Sequence, residues 1–295
     1  MTTFHATDLP DLTGSTAIVT GANTGIGAHT ARALATAGAR VVYAVRNIRK
    51  GHEAVATVPG RTEVRELDLA SLDSIRRFAD GWDGEINLLI CNAGVVLPPS
   101  ITRTADGFET QFGVNYLGHF ALTQLLLGHV TGRVVSVSAA AHRFGRIDFD
   151  DLNWEHKRYS ASRAYAQSKL ANLLFTAELQ RRLIAAGSAV LATAAHPGAA
   201  STDAITNSGG SEGPVMRATM RMFGQTPAEA AREPLYAAVA DIPGGGFVGP
   251  GGFMQMSGSP KLVRPSKAAR DPELARRLWD VSTEMTHVPS ALALG

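Results

Sequence analysis

Short runs rich in β-branched residues alternate with longer helix-forming runs through most of this 295-residue chain. The first pair is Thr16-Ala-Ile-Val-Thr20, followed by a helical pattern over 26–37. Such alternation is typical of βαβ units, in which crossover helices join parallel strands. We find no repeat, low-complexity block or linker, so the pattern predicts a single α/β domain over 1–295. Its sheet is expected to be parallel and doubly wound, with helices on both faces.

The other elements follow from the same periodicities. Predicted strands cover 16–20, 40–45, 62–67, 86–91, 133–138 and 189–195. Predicted helices cover 26–37, 49–58, 71–79, 105–112, 114–129, 164–184 and 227–240, with a C-terminal helix over 272–285.

Charge, cysteine content and hydropathy exclude several classes of protein. The net charge of +2 is too small to suggest a nucleic-acid partner. Cys91 is the only cysteine, so the chain forms no intramolecular disulfide and suits a reducing compartment. No apolar run reaches the roughly 18 residues of a membrane span, and residues 1–14 do not resemble a signal peptide. We therefore expect a cytoplasmic protein without a membrane span.

A glycine-rich turn follows the first strand and leads directly into the first helix. It reads Thr20-Gly-Ala-Asn-Thr-Gly-Ile-Gly27, with the spacing G-x-x-x-G-x-G. Glycines at this point let the backbone approach a pyrophosphate, and the helix N-terminus supplies N–H donors and a positive dipole. The alternative is an ordinary turn, but the flanking strand and helix favour a dinucleotide site.

The end of the second predicted strand bears on which dinucleotide binds. Sites that prefer NAD carry an acid there, which bonds the ribose 2′-hydroxyl. Here the run is Val45-Arg46-Asn47, with no acid. A guanidinium forms bidentate pairs with phosphate, so Arg46 favours the 2′-phosphate of NADP(H). The alternative is a solvated arginine at a strand end.

Tyr165 and Lys169 lie four residues apart in a helix-forming run, which places them on one helix face. A nearby ammonium lowers the pKa of a phenol, so Tyr165 is expected to exchange a proton near neutral pH. The alternative is a solvated surface pair. Tyr159 and Arg163 share the spacing, but Tyr159 lies in a polar run before the apolar helix, so we set that pair aside.

The order of these motifs resembles the short-chain dehydrogenase/reductase superfamily, within it the retinol-dehydrogenase-like and WW-domain-oxidoreductase-like branch. The matching segments span essentially the whole chain and are 20–27, Asp68-Leu69, Asn92-Ala93-Gly94, 115–120, 165–172 and Pro197-Gly198. The resemblance implies a Rossmann-like sheet of about seven strands. It also implies an NADP(H)-dependent oxidoreductase that interconverts an alcohol and a carbonyl.

The resemblance also assigns roles to single residues. Asp68 would contact the adenine, Asn92 and Gly94 would shape the central strand end beside the ribose, and Thr202 would lie near the nicotinamide carboxamide. Asp68 and Asn92 also suit strand-end turns. The expected cofactor contacts are Gly21, Asn23, Thr24, Gly25, Ile26, Gly27, Arg46, Asp68, Leu69, Asn92, Ala93, Gly94, Tyr165, Lys169, Pro197, Gly198 and Thr202.

For catalysis the resemblance makes Tyr165 the general acid or base, with Lys169 lowering its pKa and binding the nicotinamide ribose. Asn115 would hold a water that extends the proton relay. No metal is expected.

The chain departs from the family pattern at the end of the fifth strand. Relatives usually carry two serines there, and the second orients the substrate oxygen. Here Ser138 takes the first position and Ala139 the second. Neighbouring strand residues point to opposite faces, so Ser138 replaces the lost hydroxyl only if the strand end is bulged. His142 or a water could also replace the hydroxyl, although His142 is more typical of a structural residue.

Two functions remain open, an NADP(H)-dependent dehydrogenase or reductase and an NADP(H)-binding sensor or scaffold with weak or no turnover. An epimerase or dehydratase ranks third, because such relatives usually have a different glycine spacing. The segment 199–225 is expected to cover a small, apolar substrate, although a helix packed on the core explains its methionines equally well. A homo-oligomer and a monomer are both compatible with the sequence.

Overall fold

In the residues that the structure describes, the alternating pattern folds into one sheet of eight strands in the order β3-β2-β1-β4-β5-β6-β7-β8. A computed structural model describes residues 4–198 and 225–292. The strands are β1 (Thr16–Thr20), β2 (Arg40–Val45), β3 (Thr62–Glu66), β4 (Ile86–Cys91), β5 (Val130–Val137), β6 (Leu191–Ala195), β7 (Phe247–Pro250) and β8 (Pro260–Leu262). Among these described strands the first seven run parallel, and β8 pairs antiparallel with β7. The predicted α/β class is confirmed, with one strand more than the expected seven.

Nine α-helical segments lie on the two faces of the sheet or at its ends. They are α1 (Gly25–Thr36), α2 (Ile48–Val55), α3 (Leu72–Asp80), α4 (Thr110–Phe112), α5 (Gly118–Leu126), α6 (Ala161–Ala185), α7 (Pro227–Ala230), α8 (Arg232–Val239) and α9 (Pro272–Thr286) within the parts of the chain that the structure describes. A π-helical turn over Gly113–Leu117 joins α4 to α5. The single helix predicted over 227–240 is interrupted at Ala231.

The sheet is buried on both sides, as expected for parallel strands that read as continuous apolar runs. Side chains such as Ile18 and Leu89 pack towards α5 and α6, in a core that includes Phe120 and Leu174. The opposite core contains Val19 and packs against α1 and α8. Each large aliphatic side chain buried in this way stabilises the fold by roughly 1.5–3 kcal/mol.

The strand order reverses between β1 and β4, which are neighbours although β2 and β3 separate them in sequence. Crossovers on the two sides of this point diverge and leave a crevice at the carboxyl ends of the strands. Ligands of open α/β sheets bind in such crevices. The fold therefore places the glycine turn after β1 beside the ends of β4 and β5.

The C-terminal helix α9 packs along α6 and covers part of its outer side. The indole of Trp279 stacks on Phe175 with ring centroids 5.7 Å apart, and the Tyr116 hydroxyl bonds Ser282 Oγ at 2.7 Å. Trp279 is almost fully buried. The helix predicted over 272–285 is thus part of the fold rather than an appendage.

Two further expectations concern membranes and the substrate-covering segment. Across residues 4–198 and 225–292, no helix combines the length and apolar character that a bilayer crossing requires. Thr202 and nearly all of the segment 199–225 lie outside the described residues.

Candidate active site

A cleft of about 440 Å³ opens at the carboxyl ends of β1, β4, β5 and β6. It brings together all but one of the predicted cofactor contacts, since Thr202 lies outside the described residues. The residues that line it include Gly21, Asn23, Thr24, Gly25, Ile26, Gly27, Arg46, Asp68, Leu69, Asn92, Ala93, Gly94, Tyr165, Lys169, Pro197 and Gly198. Ser138 and Ala139 line it as well, whereas Asn115 lies behind its wall.

The glycine turn is shaped by close contacts that a side chain would disrupt. A Cβ atom at Gly27 would lie 2.4 Å from Asn92 Nδ2 and 2.5 Å from the Gly21 carbonyl oxygen. Gly21 has φ +65°, in the left-handed region that favours glycine. Helix α1 begins at Gly25, so its first N–H groups face the cleft beside this turn. The turn can therefore bring backbone donors against a pyrophosphate.

A buried hydrogen-bond network fixes the turn to the neighbouring strand. Thr20 Oγ1 accepts from the backbone N–H groups of Asn92 and Ala93, both at 2.9 Å, and lies 2.8 Å from His119 Nε2. His119 Nδ1 donates to the Asn115 carbonyl oxygen at 3.1 Å, so Nε2 accepts from the threonine hydroxyl. Burial lowers the pKa of His119 to about 4, which keeps the ring neutral. His119 thereby joins β1 to the π-helical turn, and Thr20 joins β1 to the residues that follow β4.

Arg46 and Asp68, two side chains at one end of the cleft, differ in their exposure and in their hydrogen bonds within the protein. Arg46 follows the end of β2, is exposed and lines the cleft. Asp68 accepts the backbone N–H of Ala70 at 2.9 Å, and its own N–H donates to Ser74 Oγ at 3.0 Å. Asp68 therefore has the strand-end turn role that the sequence also allowed, and its side chain lines the cleft as well.

Helix α6 carries Tyr165 and Lys169 on the face that borders the cleft. The ammonium donates to the Val137 carbonyl oxygen at 3.0 Å and lies 5.7 Å from the centroid of the Tyr165 ring. Burial lowers the pKa of Lys169 to about 8. Burial also raises the pKa of Tyr165 to about 12, which is opposite to the direction expected from the sequence. Removal of water from around the phenol is the cause of this rise.

Asn115 sits in the π-helical turn, fully buried, with all of its amide groups engaged. Oδ1 accepts the Val95 N–H at 2.7 Å, while Nδ2 donates to the Val95 carbonyl oxygen at 3.0 Å and to Ser168 Oγ at 3.1 Å. A Cβ atom at Gly94 would lie 3.2 Å from Asn115 Oδ1 and 3.8 Å from Lys169 Nζ, so these three residues converge. π-Helical turns are frequent at functional sites.

The Ser138 hydroxyl is not placed to orient a substrate. Ser138 is almost fully buried just beyond β5, and Oγ donates to the Lys169 carbonyl oxygen at 2.7 Å. A hydroxyl has one proton to donate, and a carbonyl substrate needs a donor. The assignment of Ser138 as a catalytic residue stays a prediction, and this hydrogen bond to α6 does not favour it.

His142 does not replace the missing hydroxyl either. Its Nδ1 donates to the Ala139 carbonyl oxygen at 2.8 Å, and its Nε2 accepts the Ser266 N–H at 3.2 Å. Both ring nitrogens are thus engaged, and burial lowers the pKa of His142. The structural interpretation of His142 fits these contacts.

Comparison with known proteins agrees with this geometry. A model of the short chain dehydrogenase family matches residues 15–212. Human retinol dehydrogenase 13 is 43% identical over an alignment of 292 positions that covers 92% of this chain and 84% of the relative. This chain belongs to the short-chain dehydrogenase family. Mouse polyprenol dehydrogenase is 40% identical over an alignment of 304 positions, gaps included, that covers 96% of this chain and 87% of the relative.

A solved structure supports the same conclusion about this short-chain dehydrogenase. The crystal structure of an uncharacterised protein from Mycobacterium paratuberculosis matches with a TM-score of 0.86 and 48% sequence identity. The match covers 99% of this chain and 100% of that chain. The resemblance seen in the motifs is thus confirmed. The chain is an oxidoreductase of a family that binds a nicotinamide dinucleotide, and it is related to retinol and polyprenol dehydrogenases.

Sequence reasoning missed His196, which positions the last part of the cleft wall. Its Nδ1 accepts the Gly198 N–H at 3.3 Å, and its Nε2 donates to Gln255 Oε1 at 3.1 Å. Burial lowers the pKa of His196 to about 4, so the ring stays neutral. The residue directly precedes Pro197-Gly198, but its partner Gln255 belongs to none of the motifs. Only the fold brings them together.

Metal ligation finds no support in residues 4–198 and 225–292. Over these ranges, no group of three or more His, Cys, Asp or Glu side chains is arranged to hold an ion.

Proposed function

We propose that this short-chain dehydrogenase uses NADP(H) to interconvert an apolar alcohol and its carbonyl compound. The observation that carries the proposal is one cleft that contains both the glycine turn and the Tyr165–Lys169 pair. A nucleotide binder without redox chemistry needs only the first of these. Family membership supplies the oxidoreductase class, and the residues described below support the finer assignment.

The cleft fits a nicotinamide dinucleotide that carries a 2′-phosphate. A Cβ atom at Gly27 would overlap Asn92 and the Gly21 carbonyl oxygen, so glycine there lets α1 pack closely on the turn, and the first N–H groups of α1 face the cleft where a pyrophosphate would lie. Arg46 stands where NAD-specific sites have an acid, and an exposed guanidinium there pairs with phosphate in bidentate fashion. When bound, the nicotinamide supplies or accepts the hydride.

Tyr165 moves the proton at the substrate oxygen. Because the pKa of Tyr165 lies near 12, the phenol is protonated at neutral pH and is ready to donate to a carbonyl oxygen. The general acid that carbonyl reduction requires is therefore already protonated. Oxidation of an alcohol requires the phenolate, which burial disfavours.

Lys169 and Asn115 support the proton transfer from behind Tyr165. A pKa near 8 leaves Lys169 mostly charged at neutral pH, so the ammonium stabilises the phenolate that forms when Tyr165 gives up its proton. The amide of Asn115 is fully engaged by Val95 and Ser168. A relay water at Asn115 would therefore use the second lone pair of the backbone carbonyl oxygen, which already accepts from His119 Nδ1, rather than the side chain.

The substrate class is inferred from relatives and from composition. The relatives named above are a retinol dehydrogenase and a polyprenol dehydrogenase, whose names denote long isoprenoid alcohols. The stretch 199–225 contains Val215, Met216, Met220, Met222 and Phe223, side chains that suit an irregular apolar ligand. We propose long-chain apolar aldehydes, retinal and polyprenal among them, as the substrates to test.

The cofactor assignment is tested by comparing NADPH and NADH in binding and turnover. Arg46→Ala should weaken NADPH binding by about tenfold or more, as expected from loss of a charge-assisted phosphate contact worth roughly 1.5–3 kcal/mol. NADH binding should change little. Lys50→Ala, an exposed cation four residues away on α2, is the matched control. Equal loss of NADPH and NADH affinity in Arg46→Ala would contradict the assignment.

Ala139 favours a second candidate, a protein that binds NADP(H) and turns over weakly or not at all. The structure offers no substitute for the lost hydroxyl among Ser138 and His142, since both are engaged elsewhere. Tight NADPH binding without oxidation of NADPH across ketones, aldehydes and quinones would establish this alternative.

The position of α9 on α6 supports a monomer. Dimers in this fold often pair through the long helices, and Trp279 and Ser282 of α9 occupy part of that surface here. Sedimentation velocity at increasing concentration distinguishes the two states, and a concentration-dependent dimer would refute the monomer.

A further inference from the structure

Beside the cleft, three large apolar side chains stand out into solvent on two turns that a hydrogen bond joins. Phe144, Phe253 and Met254 are 84%, 82% and 75% exposed, the highest values for large apolar side chains in the described parts of the chain. Single exposed apolar residues are ordinary, but a cluster of the most exposed ones requires a reason.

Hydrogen bonds hold these residues on two neighbouring turns. Phe144 ends a 3₁₀ turn (Ala140–Phe144) that starts directly after Ala139, while Phe253 and Met254 lie at the tip of the β7–β8 hairpin. Arg143 Nη2 donates to Gln255 Oε1 at 3.2 Å and so joins the two turns. The same Gln255 oxygen accepts from His196.

The hairpin tip has a defined and unusual shape. Met254 and Gln255 have φ of +50° and +57°, a conformation that costs side-chain-bearing residues of order 1–3 kcal/mol each. The Gln255 hydrogen bonds to two elements hold this conformation. The tip also abuts the cleft, because a Cβ atom at Gly198 would lie 2.4 Å from the Met256 carbonyl oxygen.

The surroundings of the apolar cluster are basic. The stretch 242–270 contains four lysines and arginines and no Asp or Glu, and 133–147 also lacks acids. Arg143, Arg146 and Lys261 are exposed, and none of them forms an ion pair with a carboxylate in the described ranges. The Lys261 side chain passes close to Gly251, two residues before Phe253. We name Arg143, Phe144, Arg146, Phe253, Met254 and Lys261 the basic apolar edge.

We propose that the basic apolar edge docks this protein on the surface of an anionic lipid bilayer. Apolar side chains inserted at the acyl boundary and cations at the headgroups are the pairing that holds peripheral proteins on such membranes. Two copies of the same edge would bring like charges together, which opposes a dimer through this surface. Docking here would turn the mouth of the cleft, at Ala139 and Gly198, towards the lipid.

The test is co-sedimentation of the full chain with vesicles of phosphatidylcholine alone and of phosphatidylcholine containing about 30% phosphatidylglycerol. The proposal requires binding to the anionic vesicles and at least about tenfold weaker binding to the neutral ones. Phe144→Ser/Phe253→Ser and Arg146→Gln/Lys261→Gln should each reduce the bound fraction of protein about tenfold or more. All four side chains are exposed, so thermal stability and NADPH binding should stay unchanged.

Two matched controls lie away from the edge. Ile184→Ser removes an apolar side chain that is 69% exposed near the end of α6. Arg61→Gln removes an exposed cation at the start of β3, at the opposite end of the strands from the cleft. Neither should alter vesicle binding. Three results would overturn the proposal. They are failure of the wild type to bind anionic vesicles, an equal loss of vesicle binding in the control variants, and a dimer that Phe144→Ser/Phe253→Ser abolishes. None of these readouts depends on turnover.

Discussion

Restoring a hydroxyl at position 139 should raise carbonyl turnover without changing the affinity for NADPH. Ala139 lines the cleft and has φ −151° and ψ 161°, an extended conformation that serine adopts without strain. Ser138 already directs its hydroxyl to the Lys169 carbonyl oxygen. Neighbouring residues of an extended chain point in opposite directions, so a hydroxyl at 139 avoids that acceptor. Its proton remains available for the substrate oxygen.

The size of the gain follows from one hydrogen bond to an oxygen that develops charge. Loss of such a donor in other enzymes lowers the rate by about 10²–10³. The cleft is open to solvent and Ala139 is only partly buried, which weakens the interaction. We expect about 1.5–2 kcal/mol, or roughly tenfold to thirtyfold in kcat/KM at about 1.4 kcal/mol per tenfold change.

The assay follows NADPH absorbance with a panel of apolar aldehydes, and NADPH affinity is measured separately by fluorescence. Ala140→Ser is the matched control, because it adds the same hydroxyl one residue further on at an exposed position. Unchanged or lower turnover in Ala139→Ser would show that the site already has another donor. A similar gain in Ala140→Ser would show that position 139 has no special role.

The remaining predictions concern charge, packing and buried histidines. The rate of carbonyl reduction should decline as pH rises through about 8, because neutral Lys169 no longer stabilises the phenolate. Lys169→Arg should flatten this decline, since arginine stays charged. A pH profile in that variant identical to the wild type would contradict the role of Lys169. Gly27→Ala should abolish NADPH binding and destabilise the fold by about 1–3 kcal/mol in urea melts, since its Cβ would overlap Asn92; wild-type binding would refute the packing argument. His119 and His196 have folded pKa values near 4, below the ordinary 6.5, so the stability they contribute is present above pH 6.5 and is lost as pH falls towards 4. Each histidine contributes roughly 3 kcal/mol to that loss. His196→Gln should reduce the slope of the free energy of unfolding against pH. A slope identical to the wild type would count against a neutral, buried His196 ring.

The main elements of the fold could be predicted because burial on both faces makes parallel strands apolar throughout. β1, β2 and β4 match their predicted bounds. β7 and β8 were missed, because the Gly-rich stretch around Phe247–Pro250 and the three residues of β8 carry little β-branched signal. Their pairing depends on β6 and the hairpin, which are tertiary partners.

The site could be predicted where chain order alone brings residues together. The glycine turn and Arg46 follow consecutive strands, and parallel strands end at the same edge of the sheet. The sequence predicted a lowered pKa for Tyr165, whereas burial raises it. The i,i+4 spacing indicates that Lys169 is near but gives no information on the loss of water around the phenol. The role of His196 depends on Gln255, 59 residues away, and spacing gives no signal for it.

The most direct test of the proposed reaction is a single-turnover measurement with NADPH and an apolar aldehyde, on the wild-type chain and on Tyr165→Phe. The proposal predicts aldehyde-dependent oxidation of NADPH by the wild type. In Tyr165→Phe the rate should fall by about 10²–10⁴, as expected for loss of a general acid, while NADPH affinity changes far less, because phenylalanine keeps the ring that borders the cofactor. Equal rates in the two proteins, or no oxidation by a wild type that binds NADPH tightly, would contradict proton transfer by Tyr165 in this cleft.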